Sequence, residues 1–293
     1  MKKNIYLISI ISAGFLWGFM GFFRRTLGDI GFSASDIIFI RCCFSALLYA
    51  ATIAITKPSD LKICIKDVWC FIGSGIVSLL FFSLCYFQAM TLMSLSAAAI
   101  LLYTAPAFVI ILSAVIFRER ITAKKLAALF LAFAGCCFTS GIVGSDFRIC
   151  TAGILYGLGS GLGYALYSIF GRFAINRGYS SNTISLWSCL FAAAGCSVLF
   201  GVKAPLTIVF SSGNVFLFCL LTAIITTYLP YMLYTFGLTG IDSGTASVVA
   251  SIEPVVATGV GIILYHETLN IWSVSGIVLV LSAIVLLNTN YRK

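Results

Sequence analysis

The chain consists of about ten apolar stretches, each roughly 20 residues long, which is the length that spans the hydrocarbon core of a bilayer as a helix. Short loops that hold most of the charged residues join them. The pattern predicts an all-α integral membrane protein with ten transmembrane helices. The predicted spans are residues 5–23, 35–56, 68–90, 95–117, 124–141, 151–171, 181–201, 215–237, 242–264 and 271–288.

The composition supports the same class of protein. Of the 293 residues, 61% are hydrophobic and 9% are charged, whereas a soluble domain is nearer half apolar and a quarter charged. A water-soluble enzyme, a nucleic-acid-binding protein and a disordered protein are therefore excluded. The apolar run at residues 5–23 lacks a small-x-small cleavage site, so we expect a first transmembrane helix and not a removed leader.

The basic residues are distributed unevenly between the two sides of the predicted helices. Of the 18 Lys and Arg residues, 13 fall on the side that holds both termini and four on the other side, while Arg41 lies inside a span. Lysine and arginine concentrate in cytoplasmic loops. We therefore predict a multi-pass protein of the cytoplasmic membrane with both termini in the cytoplasm. The net charge of +9 then reports topology, and no nucleic acid is expected as a partner.

The second half of the chain repeats the first at a shift of 147–148 residues. The matching pairs include Tyr86 with Tyr234, Pro106 with Pro254, and Glu119 with Glu267. Two five-helix repeats, residues 5–141 and 151–288, follow from this match. Because five is an odd number, the second repeat enters the membrane in the opposite orientation, which is a recurrent architecture of secondary transporters. The sequence therefore predicts transport by alternating access around a central cavity.

Residues 94–135 and 242–285 resemble the two copies of the EamA domain, which belongs to the drug/metabolite transporter superfamily. Each segment opens with small residues, has a proline within its span and ends that span with a glutamate before the next span begins. Trp17 and Arg41 also resemble the family pattern, although no arginine of the second half corresponds to Arg41, and His266 stands where glycine is commoner. The resemblance implies an exporter of amino acids, other metabolites or drugs.

Glu253 is the one carboxylate that the sequence places clearly at membrane depth, immediately before Pro254. An ionisable residue within a span is a functional candidate by default, because a charge is costly there unless it is paired or hydrated. We expect Glu253 to bind an amine of the substrate or to carry a coupling proton. The alternative is a protonated or helix-end-bonded glutamate that stabilises a kink.

Three prolines lie within the predicted spans: Pro106, Pro230 and Pro254. A proline removes a backbone hydrogen bond and bends a helix. The carbonyl groups that it frees should face protein or a wet cavity. The three prolines are therefore candidate hinges along the transport path, and fixed kinks needed only for packing are the alternative.

Arg41 lies near the outer end of the second predicted span. A long arginine side chain can extend from this depth to the interface, where we expect it to pair with Asp36. The alternative is a contact with a carboxylate of the substrate, which the guanidinium group binds with two parallel hydrogen bonds.

Aromatic side chains occur throughout the predicted spans and are not confined to the span ends, where a belt of Trp and Tyr is expected. Such residues can line a cavity that offers π surface and a few hydroxyl groups to a small solute. Ordinary core packing is the alternative. Together with Glu253, the predicted substrate-binding residues are Trp17, Tyr86, Tyr103, Tyr164, Tyr231 and Tyr234.

Glu119 and Glu267 end the fourth and ninth predicted spans. We expect each glutamate to anchor its span end and to support the start of the next helix, for which Thr122 and Asn270 are the candidate caps. A contact that closes one side of the transport path is the alternative.

Sequence signatures of catalysis and of metal binding are absent. His266 is the only histidine, and no CxxC occurs among the 11 cysteines, most of which lie in apolar stretches as small hydrophobic residues. No Walker motif is present. We therefore predict no catalytic residue, no metal site and no cofactor.

These observations together predict a secondary transporter that exports a small metabolite, with an amino acid or a related compound as the first expectation. Its partners are the small-molecule substrate, the lipid bilayer and a coupling proton. A multidrug or organic-cation exporter is the alternative within transport, because a carboxylate and aromatic rings suit a cationic solute equally well. An integral-membrane enzyme is the alternative from another class, and the lack of a convergent catalytic set argues against it.

Overall fold

The computed structural model describes residues 2–140, 150–266, 268 and 270–288, which form helices and connecting turns without β-strands. In chain order the α-helices are α1 Lys2–Trp17, α2 Met20–Ile30, α3 Ala34–Thr56, α4 Val68–Ile72, α5 Phe81–Leu92, α6 Leu95–Leu102, α7 Ala105–Phe117, α8 Ala123–Thr139, α9 Thr151–Asn176, α10 Ser181–Phe200, α11 Lys203–Val209, α12 Gly213–Ala223, α13 Leu229–Leu238, α14 Ser243–Ala250, α15 Glu253–Tyr265 and α16 Ile271–Asn288. Several of these helices join end to end across short irregular segments.

Eight helical segments of the described chain are long and apolar enough to cross a membrane. They are Asn4–Ile30, Ala34–Thr56, Ile65–Leu92, Ser96–Phe117, Ser181–Phe200, Gly213–Leu238, Ser243–Tyr265 and Ile271–Asn288. Each corresponds to one predicted span, which confirms an all-helical membrane protein. The two remaining predicted spans, 124–141 and 151–171, correspond to α8, which has 17 residues, and to the glycine-rich α9 of 26 residues.

The first membrane-crossing segment extends past the predicted end of its span. Arg24 and Arg25 lie within α2, where their guanidinium groups sit over the rings of Phe87 and Tyr265 at 4.9 and 4.4 Å. These cation–π contacts accommodate both charges on the helix. The helix then ends at Gly31, whose φ of 108° is a left-handed conformation that glycine adopts freely.

Two membrane-crossing segments are interrupted at their centres. The turn between α6 and α7 lies at residues 103–104, and the turn between α14 and α15 lies at residues 251–252, at the spacing of the sequence repeat. Pro106 and Pro254 occupy the second position of α7 and α15. Because proline cannot donate to a carbonyl group one turn earlier, the preceding helix ends there. The kinks expected from the sequence are therefore two-residue interruptions, across which the backbone keeps near-helical dihedral angles.

Other irregularities recur at the same spacing. α7 and α15 are each followed by a residue in the left-handed region, Arg118 at φ 56° and His266 at φ 53°. π-Helical segments occur at Gly73–Leu80 and Ile224–Tyr228, and each leads directly into the next α-helix, α5 or α13. π-Helical turns inside membrane helices are frequent at functional sites. Both of these segments adjoin the centre of the bundle.

Helices of each half of the chain pack mainly against helices of the other half. α1 runs along α13 and α14, α9 runs along α5, α6 and α7, and α8 pairs with α16. A Cβ at Gly14 of α1 would lie 2.9 Å from the carbonyl oxygen of Ala250, and a Cβ at Gly161 of α9 would lie 2.9 Å from that of Leu101. α1 and α9 therefore each pack directly on the broken helix of the other half. One buried hydrophobic cluster extends through both halves.

The pairing of α8 with α16 depends on two glycines. A Cβ at Gly135 would lie 2.7 Å from the carbonyl oxygen of Gly276 and 2.9 Å from the backbone nitrogen of Val280, while Gly276 also faces Thr139. Gly135 thus lies beside Val280, and Thr139, one turn later in α8, lies beside Gly276, one turn earlier in α16. The two helices are therefore antiparallel. Small residues at such a contact let two helix backbones approach closely in a membrane.

Gly135→Ala is expected to lower the melting temperature of the purified protein in detergent. The new methyl group would press on backbone atoms that cannot rotate away, and overpacking of this kind costs about 1–3 kcal/mol. Gly259→Ala on α15 is the matched control, because nothing lies within 4 Å of a Cβ at that position and the gain in helix propensity is the same. Equal melting temperatures for the two variants would contradict close packing at Gly135.

Candidate functional site

Two adjoining cavities lie at the centre of the bundle, with volumes of about 270 and 300 Å³ including their openings. The first, which we call the aromatic cavity, is lined by Trp17, Ser78, Leu79, Phe82, Tyr164, Tyr167, Ser168, Tyr231 and Tyr234. The second, which we call the break cavity, is lined by Leu102, Tyr103, Ala105, Pro106, Tyr164, Ser247, Ala250, Ser251 and Glu253. Tyr164 lines both, and the enclosed part of each has room for little more than a water molecule.

Trp17 is the central side chain of the aromatic cavity and is 6% exposed. The centroid of its ring lies 5.3 Å from that of Tyr231, 5.4 Å from that of Tyr234 and 6.1 Å from that of Tyr164, in tilted and edge-on arrangements. Aromatic rings favour these geometries. Helices α1, α9 and α13 thus bring four of the predicted substrate-binding residues into one wall.

Hydroxyl groups fix the rings of the aromatic cavity in place. The hydroxyls of Tyr234 and Ser168 are 2.8 Å apart, and those of Tyr167 and Thr235 are 3.0 Å apart. These hydrogen bonds are buried and join α9 to α13. Since the hydroxyls are already paired, this cavity offers mainly π surface to a solute.

Glu253 is the first residue of α15 and lies in the break cavity, which Tyr164 also lines. The amino end of a helix favours a negative charge. Among the residues that the structure describes, no basic side chain lies within 4.0 Å of this carboxylate. The charge of Glu253 is therefore not balanced by an ion pair within the described chain.

Arg41 does not line either cavity, and its expected pair with Asp36 is wrong. Its Nε donates to Oγ1 of Thr227 at 2.9 Å, and its Nη1 donates to the sulfur of Met20 at 3.0 Å. Asp36 instead accepts hydrogen bonds from the backbone nitrogen and the hydroxyl of Ser33, at 2.9 and 2.6 Å. Ser33 and Asp36 form a capping box, in which Asp36 is the third residue of α3. Its carboxylate therefore turns back to the start of the helix and away from Arg41.

Tyr86 is the one predicted substrate-binding residue that lines neither cavity. Its ring stacks with that of Phe82 at a centroid distance of 6.3 Å, so it supports the wall of the aromatic cavity from behind. Of the three predicted hinges, Pro106 lines the break cavity, Pro254 follows Glu253 at the break, and Pro230 is buried at the second position of α13, directly after a π-helical segment.

Ser247, Ser251 and Phe82 are among the lining residues that were not predicted from the sequence. Ser247 and Ser251 are spaced four residues apart, one helical turn, and come just before Glu253. That pattern places oxygen atoms on one helix face and was available in the sequence. Phe82 is one of 25 phenylalanines, and nothing in its sequence context distinguishes it.

A network of charged residues joins the two halves at one end of the bundle, which we call the Glu119 end. Nζ of Lys125 donates to Oδ1 of Asp242 at 2.6 Å. Asp242 also caps α14 by accepting from the backbone nitrogen of Thr245 at 2.9 Å. Oε1 of Glu119 accepts from the backbone nitrogen of Ser243 at 3.1 Å. Two carboxylates therefore occupy the amino end of α14, where the helix dipole favours them.

Arg172 of α9 completes the network. Its Nη2 lies 4.0 Å from Oε1 of Glu119 and also donates to the carbonyl oxygen of Ile241, and its Nε donates to the hydroxyl of Ser243 at 3.2 Å. The α7–α8 loop of one half is thereby fastened to the start of α14 in the other half. Tyr6, near the start of α1, packs against Phe236 near the end of α13 and against Gly240, just before Asp242, so α1 starts at this end.

The caps expected after the two terminal glutamates are present. The hydroxyl of Thr122 accepts from the backbone nitrogen of Lys125 at 3.2 Å, and the side-chain oxygen of Asn270 accepts from the backbone nitrogen of Ser273 at 2.8 Å. Glu119, however, supports the start of α14 and not that of the helix that follows it. The expectation for Glu267 falls outside the described residues.

Within the described parts of the chain, no group of three His, Cys, Asp or Glu side chains is placed to hold a metal ion. All 11 cysteines are free thiols, and only Cys64 and Cys150 are exposed. The polar groups at the centre of the bundle are therefore hydroxyls, carbonyls and one carboxylate.

Comparison with known proteins agrees with this architecture. The chain is 26% identical over 282 residues to a protein of Archaeoglobus fulgidus named "Uncharacterized transporter", covering 95% of this chain and 94% of that protein. It is 23% identical over 295 residues to "Uncharacterized transporter YxxF" of Bacillus subtilis, covering 97% and 90%. A solved structure described as "Crystal structure of protein" shares the fold, with a TM-score of 0.82, 16% identity and coverage of 97% and 96%.

The family model described as "EamA-like transporter family" matches residues 4–141 and 151–289, in two consecutive copies. Together the two matches cover nearly the whole chain. The protein belongs to the EamA-like transporter family and is a membrane transporter.

Proposed function

We propose that this transporter exports a small amphipathic metabolite, an amino acid or a related compound, by alternating access as a secondary transporter. The observation that carries the proposal is that the two interrupted helices meet at the break cavity, which contains the carboxylate of Glu253 and adjoins a second cavity walled by aromatic rings. Breaks at the centre of membrane helices are where transporters of repeated architecture bind solutes and coupling ions.

Ten transmembrane helices in two inverted five-helix repeats are part of this proposal. α8 and α16 are matching elements of the two sequence halves, and they run antiparallel across Gly135 and Gly276. Matching elements that point in opposite directions are what an inverted repeat requires. The recurrence of the helix breaks at one spacing supports the same arrangement.

The closed cavities are consistent with an occluded or one-sided state of the cycle. The enclosed spaces are too small for an amino acid, and the charged network at the Glu119 end ties α14 to the α7–α8 loop. We propose that bending at Pro106 and Pro254 widens the cavities and that release of the network opens this end. Pro230, after its π-helical segment, is the third proposed hinge.

The lining favours a solute with an amine and an apolar body. The rings around Trp17 offer π surface that attracts a cation, and Glu253 supplies a negative charge for the amine of the solute or for a coupling proton. Arg41 has donors beyond its contacts with Thr227 and Met20, and we propose that these bind a solute carboxylate when the bundle opens. An organic-cation exporter is the second candidate, because the carboxylate in the break cavity has no paired base among the described residues.

Transport by the purified protein in liposomes tests this function. Uptake of radiolabelled amino acids and of organic cations is measured with and without a pH gradient, against liposomes without protein. Saturable uptake of at least one amino acid is the expected result. Uptake of organic cations alone would replace the proposal by its second candidate, and the absence of uptake across both panels would overturn it.

We propose that both termini lie in the cytoplasm, and two native cysteines test this orientation. Exposed Cys64 lies at the Glu119 end, where its backbone nitrogen donates to the hydroxyl of Tyr179 at 3.0 Å, whereas exposed Cys150 caps α9 at the other end. In intact cells a membrane-impermeant thiol reagent is expected to label Cys150 and to spare Cys64. Cys64→Ser and Cys150→Ser identify the labelled residue, and the reverse pattern would invert the topology.

A further inference from the structure

The break between α14 and α15 carries polar groups that the matching break between α6 and α7 lacks. Ser247 and Glu253 stand where the first half has Ala99 and Ala105. The backbone is interrupted at both places in the same way. Because the first break forms without a carboxylate or a serine at these positions, neither group is needed to interrupt the helix. Their presence in the second half calls for a separate role.

These polar side chains converge on one space. Ser247, Ser251 and Glu253 all line the break cavity, and the two serines are 4% and 6% exposed. α14 ends at this cavity, and the carboxyl end of a helix carries a partial negative charge. Carbonyl groups at an interrupted helix are known ligands of coupling ions in transporters. The cavity is therefore a mainly apolar space into which one carboxylate and several hydroxyl groups are gathered.

An ionised Glu253 would have no paired base among the described residues. Glu253 has no basic side chain within 4.0 Å among the described residues, and the guanidinium group of Arg41 is held by Thr227 and Met20. An ionised carboxylate out of water costs several kcal/mol unless a cation compensates it. Tyr164, which lines the same cavity, adds a hydroxyl group but no positive charge.

The oxygen ligands and the small volume of the break cavity limit which cation can bind there. One carboxylate balances one positive charge, and hydroxyl, carbonyl and carboxylate oxygens are hard ligands that suit cations of the main groups. The described residues offer no group of three acidic, His or Cys side chains for a divalent or transition metal. The enclosed space has room for an ion the size of a water molecule but not for an organic amine with its body.

We propose that the break cavity is a Na⁺ site, formed by the carboxylate of Glu253, the hydroxyls of Ser247 and Ser251 and carbonyl groups at the end of α14. The site lies beside the aromatic cavity and shares Tyr164 with it, so the ion occupies a place separate from the proposed solute. Na⁺ binding does not require the proposed function, but a role for Na⁺ as the coupling ion rests on it.

Equilibrium binding of radioactive ²²Na⁺ to the purified protein, without any solute and at fixed pH and ionic strength, tests the site. Saturable binding that excess NaCl displaces and choline chloride does not is the expected result. Glu253→Gln and Ser251→Ala are each expected to weaken the binding about 10-fold or more, which corresponds to one lost charge-assisted or neutral ligand contact. Ser275→Ala on α16, whose hydroxyl bonds to the carbonyl oxygen of Ile271 at 2.8 Å, is the matched control and should bind as the unmodified protein does.

Several results would overturn the site. These are the absence of saturable Na⁺ binding, displacement by choline chloride as well as by NaCl, and unchanged binding in both Glu253→Gln and Ser251→Ala. A protein that takes up a proton without binding Na⁺ would assign the carboxylate to proton coupling instead. Melting temperatures identify a variant that fails to fold. If Glu253→Gln is such a variant, Na⁺ binding by the single serine variants tests the site in its place. Transport in Na⁺-free liposomes by a protein that binds no Na⁺ would keep the proposed function and reject only this site.

Discussion

Asp242→Lys is expected to reduce transport in liposomes by about 10-fold or more, because it reverses one charge of a pair whose partner is buried. Oδ1 of Asp242 lies 2.6 Å from Nζ of Lys125, whose side chain is 9% exposed. The new lysine would face Lys125 and would add a positive charge to the amino end of α14, which the helix dipole already makes positive. The Glu119 end should then remain open.

Two further variants separate the charge from the helix cap. Asp242→Asn keeps an oxygen that can accept from the backbone nitrogen of Thr245 and should lose much less activity. Lys125→Asp combined with Asp242→Lys restores opposite charges and should recover part of the transport. If the double variant is as inactive as Asp242→Lys alone, the ion pair is not the cause of the loss.

The same variants can be examined without a solute. In a protein that lacks exposed cysteines, Ala250→Cys places a thiol in the lining of the break cavity, where Ala250 is 3% exposed. Asp242→Lys is expected to increase the labelling of this thiol from the Glu119 end. Labelling that does not change would show that the network does not control access to the cavity.

Glu253→Gln is expected to reduce transport of the identified solute by about 10-fold or more while the protein remains folded. The amide has nearly the shape of the carboxylate but no charge, so it cannot compensate a cation in the break cavity, and a lost charged contact of this kind costs about 1.5–3 kcal/mol. Initial rates in liposomes across a range of pH measure the effect. Full activity with an unchanged pH dependence would remove Glu253 from the mechanism, whether as an amine ligand or as an ion site.

Asp29→Asn is the matched control for Glu253→Gln. It makes the same change from carboxylate to amide, but Asp29 is exposed on α2 and lines neither cavity. This variant should transport at the rate of the unmodified protein. An equal loss in both variants would indicate a general effect of net charge on insertion or folding.

The sequence was sufficient to predict the helical membrane class and the positions of the two helix breaks. Length, hydropathy and the matching Pro106 and Pro254 carry this information locally, since a proline limits a helix wherever it occurs. The aromatic cavity was predicted in part, because Trp17 and three tyrosines lie away from the span ends, where interfacial aromatic residues are expected.

Contacts between distant helices could not be predicted in this way. Arg41 was expected to pair with Asp36, five residues away, but it binds Thr227, which is 186 residues away. The pair of Lys125 with Asp242 was missed for the same reason, because hydropathy and spacing do not specify which loops meet. The repeat relates Glu119 to Glu267, but it does not reveal that Glu119 supports a helix of the opposite half.

The glycine contacts of α1 and α9 have a consequence for how the chain folds. Gly14 packs on the break near Ala250, and Gly161 packs on the break near Leu101, so each half supplies the helix that covers the other half's interrupted backbone. A chain truncated after residue 140 would leave both surfaces unmatched. We therefore expect the two copies of the family sequence to fold as one cooperative unit and not as two independently stable domains.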